Sequence, residues 1–289
     1  MDEIYLKARA KVNLSLAILD KNADGYHNLD SVFQKINLYD EMWLKKIDEN
    51  RIILDSDIKD VKLEDNIIYK AFNKLKEEVG NFGGVRVTLK KNIPMQAGLA
   101  GGSTDCASFL IAINKLYDLN ISDDNLKKIA KSLGADVVPC MYNGAVLASG
   151  IGEKIQKIDT EYKYYFVIIK PDFACNTGEM YKKLDEIGYL KKSTSKEIIE
   201  ALNKNDFEKL SSNLMNDFEL VLSKNKKFLE AKEAIENEEG KALLSGSGSS
   251  VFGIFDSKEK AKKAYYNLKD EYETYICTSY NLRRNCFGK

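Results

Sequence analysis

Strict alternation runs through the stretch KARAKVNLSL. Its odd positions, Lys7, Arg9, Lys11, Asn13 and Ser15, are polar, and its even positions, Ala8, Ala10, Val12, Leu14 and Leu16, are apolar. A period of two predicts a strand with one apolar and one polar face, so Lys11 and Asn13 point the same way. A turn follows in KNADGYHN, punctuated by Asp24-Gly25. RIILD (51–55) and VRVTL (85–89) read as further strands. Between them the period lengthens, and Ile67, Ile68, Ala71, Phe72, Leu75 and Val79 share one helical stripe that Gly80 stops. CASFLIAINKLYDL is helical by the same test. SDDNLKKIAKSLG predicts another helix, with Ser122 as its cap, Asp123 and Asp124 at its positive end and Gly134 as its stop.

After ADVVPC and the apolar run GAVLASGIG, YKYYFVIIKP predicts a buried strand. From there to about 237 the pattern is helical and rich in Lys and Glu. KALLSGSGSSVFGIF then reads as strand, glycine turn and strand, SKEKAKKAYYNLKDEY as an amphipathic helix, and YICTSYNLRR as a last strand. Strands and helices mix without a βαβα rhythm, so the expected class is α+β. The pattern changes between 150 and 165. A boundary drawn at 157/158 gives an N-terminal unit, 1–157, and a C-terminal unit, 158–289.

Composition narrows the function classes. A chain of 289 residues has room for two cores sharing an interface. Its 44 basic and 44 acidic side chains cancel, which argues against broad nucleic-acid binding. The densest apolar run, YYFVII at 164–169, is too short to span a bilayer, so no membrane role is expected. MDEIYLKARAK lacks the apolar core of a secretory leader, and the expected compartment is the cytoplasm. The cysteines at 106, 140, 175, 277 and 286 form no CxxC pair and read as reduced thiols. His27 is the single histidine, which speaks against a zinc site.

The stretch PMQAGLAGGSTD, Pro94 to Asp105, follows a strand and enters a helix. The first turn of a helix leaves free N–H groups, and glycines let a phosphate approach them closely. Ser103 and Thr104 add hydroxyl donors or a magnesium ligand. A flexible surface turn is the alternative that glycine count alone would favour. The stretch has no GxxxxGK[ST], and no GxGxxG with a following acid, so it is neither a Walker loop nor a Rossmann turn. A kinase also needs a group to accept the acceptor's proton. Asp136 in GADVVP is a candidate, against a solvated loop aspartate. Lys11 is a candidate charge-neutralising group, against an ordinary exposed lysine.

Together these residues resemble the GHMP kinase superfamily. The carrying motifs, in order, are the strand AKVNLSL, the loop PMQAGLAGGSTDCA in place of the family's Pro-x-x-x-Gly-Leu-x-[GS]-Ser-[SA] signature, and the turn LLSGSGSSVFGIF. ADGYHNLDSVFQ, DNIIYKA, GGSTDCA and LGADVVPC narrow the match to the branch that acts on a cytidine-diphospho alcohol in the non-mevalonate isoprenoid pathway. The resemblance implies a two-domain α+β fold, the first domain like ribosomal protein S5 domain 2 and the second ferredoxin-like. It implies transfer of the γ-phosphoryl of ATP, with Mg²⁺, to the 2-hydroxyl of a small molecule carrying cytidine diphosphate.

Residue by residue, the resemblance makes Lys11 and Asp136 catalytic. The ATP phosphates fall on Pro94, Met95, Gln96, Ala97, Gly98, Leu99, Ala100, Gly101, Gly102, Ser103 and Thr104, and Asn66 falls at the adenine end. Tyr26 and His27 match residues that hold the cytosine. Tyr181 falls where a second aromatic completes a sandwich around the base, and Asn13 and Thr177 fall at further substrate contacts. Two departures stand out. Ala100 replaces the first glycine of a Gly-Leu-Gly-Gly-Gly run, and Pro139 lies three residues after Asp136, where many relatives have proline two after. The rival readings are a GHMP kinase for homoserine or a mevalonate-type acid, and a non-catalytic nucleotide- or RNA-binding module. A monomer or a homodimer is expected, working on a small molecule and not on nucleic acid.

Overall fold

The computed structural model of the chain describes residues 1–57 and 62–281. Two very long strands form its spine, β1 (Glu3–Lys21) and β2 (His27–Ile47), paired antiparallel around the turn at Asp24-Gly25. Next come β3 (Ile52–Ser56), α1 (Ile67–Val79), β4 (Gly84–Lys90), α2 (Gly101–Leu116), α3 (Asp123–Leu133) and the short α4 (Val137–Cys140). β5 (Ala145–Gly150) and β6 (Lys154–Ile158) return to β2. The second half runs β7 (Tyr165–Lys170), α5 (Thr177–Ile187), α6 (Ser195–Lys204), α7 (Phe207–Ser212) and β8 (Met215–Asn216). It finishes with α8 (Lys226–Asn237), β9 (Lys241–Leu244), β10 (Val251–Phe255), α9 (Lys258–Leu268) and β11 (Glu273–Thr278).

A seven-stranded mixed sheet has the order β3-β4-β2-β1-β8, with β5 on β2 and β6 on β5. A four-stranded antiparallel sheet has the order β11-β7-β10-β9. α1 and α2 cover the first sheet, and the apolar stripe of α1 buries Ile68, Ala71, Phe72 and Leu75 against it, while Val79 in the last turn stays exposed. Asn66 caps α1 and Ser122 caps α3, each accepting a backbone N–H of the first turn. The α+β expectation holds, and each strand and helix assigned above from periodicity is present, the last strand only over its first part.

Three things differ. β2 went unassigned because Ser31 to Ile36 are all buried, so both faces are covered and no alternation shows. β5 and β6 were likewise not assigned. The helix after the glycine stretch starts earlier than its apolar period, at Gly101, so Gly101 to Thr104 are its first turn and not loop. The last strand ends at Thr278; the LRR of the expected strand, and Cys286, lie outside the described residues.

Candidate active site

From Lys11 onward the polar face of β1 is not a solvent face. Lys11 is 2% exposed, and Asn13 and Ser15 are fully buried. Register shifts in the β1–β2 pairing bracket this stretch, between Arg9 and Lys11 and between Asn13 and Ser15. Such bulges re-aim side chains. The Lys11 ammonium donates to Asn13 Oδ1 (2.7 Å) and to the Gly98 carbonyl (3.0 Å). The exposed-lysine alternative is therefore wrong: a buried cation needs such partners. Asp136 Oδ2 lies 3.7 Å from the same Nζ. Asp136 stands at the N-terminus of α4 with no side-chain capping bond, and its half-exposed carboxylate lines the cleft.

That cleft has a volume of about 890 Å³, within the range of small-molecule sites. Lys11, Asn13, Asn66 and Asp136 line it, with every residue from Pro94 to Ser103. α2 opens without a side-chain cap, so the N–H groups of Gly101, Gly102 and Ser103 have no partner in the helix and stand at the cleft wall. Ala100, at the N-cap, adopts a left-handed backbone (φ 58°, ψ 34°), the conformation its Cβ disfavours. Ser103 faces the cleft, but Thr104 does not. Thr104 is 1% exposed; its hydroxyl donates to the Arg9 carbonyl (2.7 Å) and accepts from Lys35 Nζ (2.9 Å). Burial beneath the first turn thus removes Thr104 from the phosphate and magnesium candidates. Asn66 lines the cleft while its Oδ1 caps α1.

The glycine turn between β9 and β10 closes the other side. Gly246 N–H donates to Asn13 Oδ1 (3.1 Å), Ser245 Oγ to the Gly98 carbonyl (3.1 Å), and Ser250 N–H to the Ala97 carbonyl (3.3 Å). The motif LLSGSGSS marked this turn in the sequence, but its role as a buttress of Lys11, Asn13 and Gly98 carried no local signal.

Thr177 and Tyr181, on the first turns of α5, line the same cleft, and Thr177 Oγ1 is 2.8 Å from Ser247 Oγ. Tyr26 and His27 are not among the cleft-lining side chains. Tyr26 is 60% exposed at the hairpin tip. The ring stacked on Tyr181 is that of His27, at 4.6 Å and 18°. Stacking one aromatic face on another removes both from water.

A buried charge cluster lies beside the cleft. Lys91, at the cleft wall, bridges the carboxylates of Asp40 and Asp105 (2.6 Å to Asp105). Asp40 also accepts from the N–H groups of Asn92 and Ile93. Burial pushes the Asp105 carboxyl up to about 8, because one ammonium cannot fully compensate two buried carboxylates. Burial likewise raises the thiols of Cys106, Cys140 and Cys277, which pack as small apolar groups. Among the described residues, no group of three or more His, Cys, Asp or Glu side chains could hold a metal ion, and no helix is long and apolar enough to cross a membrane.

Comparison with known proteins gives this geometry a lineage. Residues 66–144 match the family model of the GHMP kinases N-terminal domain, and residues 198–274 match that of the GHMP kinases C-terminal domain. The chain is 40% identical over 288 residues to 4-diphosphocytidyl-2-C-methyl-D-erythritol kinase of Clostridioides difficile (strain 630), covering 96% of each protein. The crystal structure of a 4-(cytidine 5'-diphospho)-2C-methyl-D-erythritol kinase superposes with a TM-score of 0.78 at 26% identity, over 95% of this chain and 98% of that one. A homoserine kinase from Cytophaga hutchinsonii reaches the same TM-score at 21% identity, over 97% of this chain and 96% of its own. The fold alone therefore does not separate acceptors. This chain belongs to the GHMP kinase family.

Proposed function

We propose that this chain transfers the γ-phosphoryl group of ATP to the 2-hydroxyl of 4-diphosphocytidyl-2-C-methyl-D-erythritol. The observation that carries the proposal is the 3.7 Å approach of Lys11 and Asp136 in one cleft with the uncapped first turn of α2. The extent of identity to the relatives of that name supports the choice of acceptor. The enzyme works in the cytoplasm as a monomer or a homodimer. Its two domains divide at 157/158, at the last residue of β6.

The chain's own groups divide the work. The N–H groups of Gly101, Gly102 and Ser103 receive phosphate oxygens, and the dipole of α2 favours the charge. The residues fit a polyphosphate: a Cβ built on Gly102 meets only the Ile67 side chain, at 3.9 Å, so space stands open where glycine brings the backbone to the wall. Ser103 is the hydroxyl that would hold Mg²⁺, which supplies charge neutralisation when bound with the triphosphate. Asp136 accepts the acceptor's proton as the new P–O bond forms, since a carboxylate is too weak a base to take it beforehand. Lys11, fixed by Asn13 and Gly98, offsets negative charge on the transferring group. Thr177 and Tyr181 hold the acceptor in the same cleft, with Tyr26 and His27 behind them.

The test is a coupled ADP-release assay with the cytidine-diphospho acceptor, homoserine and mevalonate, each with MgATP. Turnover confined to the first is expected. Preference for either of the others, or no turnover with any, would refute the assignment.

A further inference from the structure

Lys21 and His27 are cross-strand partners on the last rung of the β1–β2 hairpin. Both reach the same carboxylate: Asp185 Oδ2 lies 2.5 Å from Lys21 Nζ, and Oδ1 lies 2.6 Å from His27 Nε2. Asp185 stands on α5, four residues after Tyr181, and positions four apart share a helix face. The imidazole that Asp185 grips is the one stacked on Tyr181, and Tyr189 packs edge-on against it at 6.1 Å. Its side chain is 8% exposed, whereas Tyr26 beside it is 60% exposed. Tyr181 also meets Phe218 edge-on at 4.9 Å, and both line the cleft. The order outward from the cleft is thus Tyr181, His27, Asp185 and Lys21.

We propose that Asp185 is a positioning residue for the cytidine end of the acceptor: it locks the His27 ring through Nε2–H and so sets the tilt of Tyr181 in the cleft wall. The inference rests on the functional reading above and adds a residue to it. A histidine whose one nitrogen is held by a carboxylate has its ring plane and its tautomer fixed together. Partial burial works against ionisation of Asp185, yet the bonds from Lys21 and His27 hold its carboxyl below the usual range, so it stays an acceptor at neutral pH. The contact ties the hairpin tip to α5 across 158 residues of sequence, and it leaves Lys11, Asp136 and the phosphate loop untouched.

His27 is the only histidine, so ¹⁵N-labelled full-length protein gives a single imidazole signal. In the native protein that signal should show protonated Nε2 in contact with a carboxylate; Asp185→Asn should lose it, and Asp185→Glu should restore part of it. In steady-state assays Asp185→Asn should raise the KM of the cytidine-diphospho acceptor roughly tenfold, the scale of a lost hydrogen bond to a charged group, with kcat and the KM of ATP unchanged within about twofold. CDP binding measured by calorimetry should weaken in parallel. Lys21→Ala, which removes only the more exposed partner, should change these values less than Asp185→Asn. An altered imidazole signal with an unchanged acceptor KM would overturn the proposal. So would a uniform fall of all parameters alongside a lowered Tm, the mark of a merely structural residue. If the native enzyme does not turn over the cytidine-diphospho acceptor, the functional reading itself fails; normal native turnover with an unaffected Asp185→Asn sinks only the inference.

Discussion

Gly98→Ala is the sharpest probe of how the cleft is assembled. Gly98 has φ +71° and touches the glycine turn after β9. A Cβ built on it overlaps the Ser245 carbonyl oxygen and lies 2.8 Å from its carbon and 3.1 Å from the Gly248 nitrogen. These are backbone atoms, so no rotamer change relieves the overlap. The two loops must part by roughly 1 Å, given the length of a carbonyl bond and ordinary carbon–oxygen contact. The carbonyl of the same residue receives Lys11 Nζ, so the displacement reaches the catalytic ammonium directly. Misplacement of about 1 Å costs on the order of 10²-fold in rate. Left-handed backbone adds about 1 kcal/mol of strain for alanine. Gly80→Ala isolates backbone strain: Gly80 has φ +82° and ψ −166°, a conformation open essentially to glycine, and nothing within 4 Å of a built Cβ. Both variants should lose Tm by a few degrees, but only Gly98→Ala should lose kcat by about 10²-fold. Steady-state kinetics and thermal unfolding on the pair decide the matter. Native kcat in Gly98→Ala would refute the claim that this contact holds Lys11 in place.

Ala100→Gly should move the opposite way: releasing a left-handed alanine stabilises the fold by about 1 kcal/mol, read as a higher urea midpoint. Asp136→Asn should lower kcat by about 10²–10⁴-fold with the KM of ATP nearly unchanged; near-normal turnover would remove Asp136 from the mechanism. Asp105 predicts a pH effect on stability. The folded protein keeps its proton up to about pH 8, whereas the unfolded chain releases it near 3.8. The stability it contributes is therefore fully present below about pH 4 and is lost as pH rises toward 8. Urea midpoints between pH 4 and pH 9 should show that fall, and Asp105→Asn should flatten it.

The sequence made the site legible where its chemistry was local. Alternation alone put Lys11 and Asn13 on one side of a strand, and their 2.7 Å contact bears this out. The strand-to-helix setting marked the glycine stretch before any fold was known, and Ala100 stood out within it as a residue whose backbone needed explaining. What could not be read was whether a polar face meets water or another part of the chain. Lys11, Thr104 and Asp105 look like surface residues in sequence and are buried. Thr104 sits beside Ser103 in the chain, yet a helical step of about 100° sends one hydroxyl to the cleft and the other to Lys35. Asp185 gave no local signal, because its partners are set by how α5 docks on the hairpin. β2 hid for a related reason: a strand covered on both faces loses the alternation that reveals a strand.

The glycine turn between β9 and β10 gives the active centre a birth order. Lys11, the phosphate loop and Asp136 have all been synthesised once the first 136 residues are made, yet the bonds that brace Asn13, Gly98 and Ala97 come from Ser245, Gly246 and Ser250. A nascent or truncated chain ending before Lys241 carries every catalytic candidate and none of that bracing. Such a fragment should be inert until a separately made C-terminal piece docks onto it, which makes the connection between α8 and β9 a natural split point for reconstituting the enzyme from two halves.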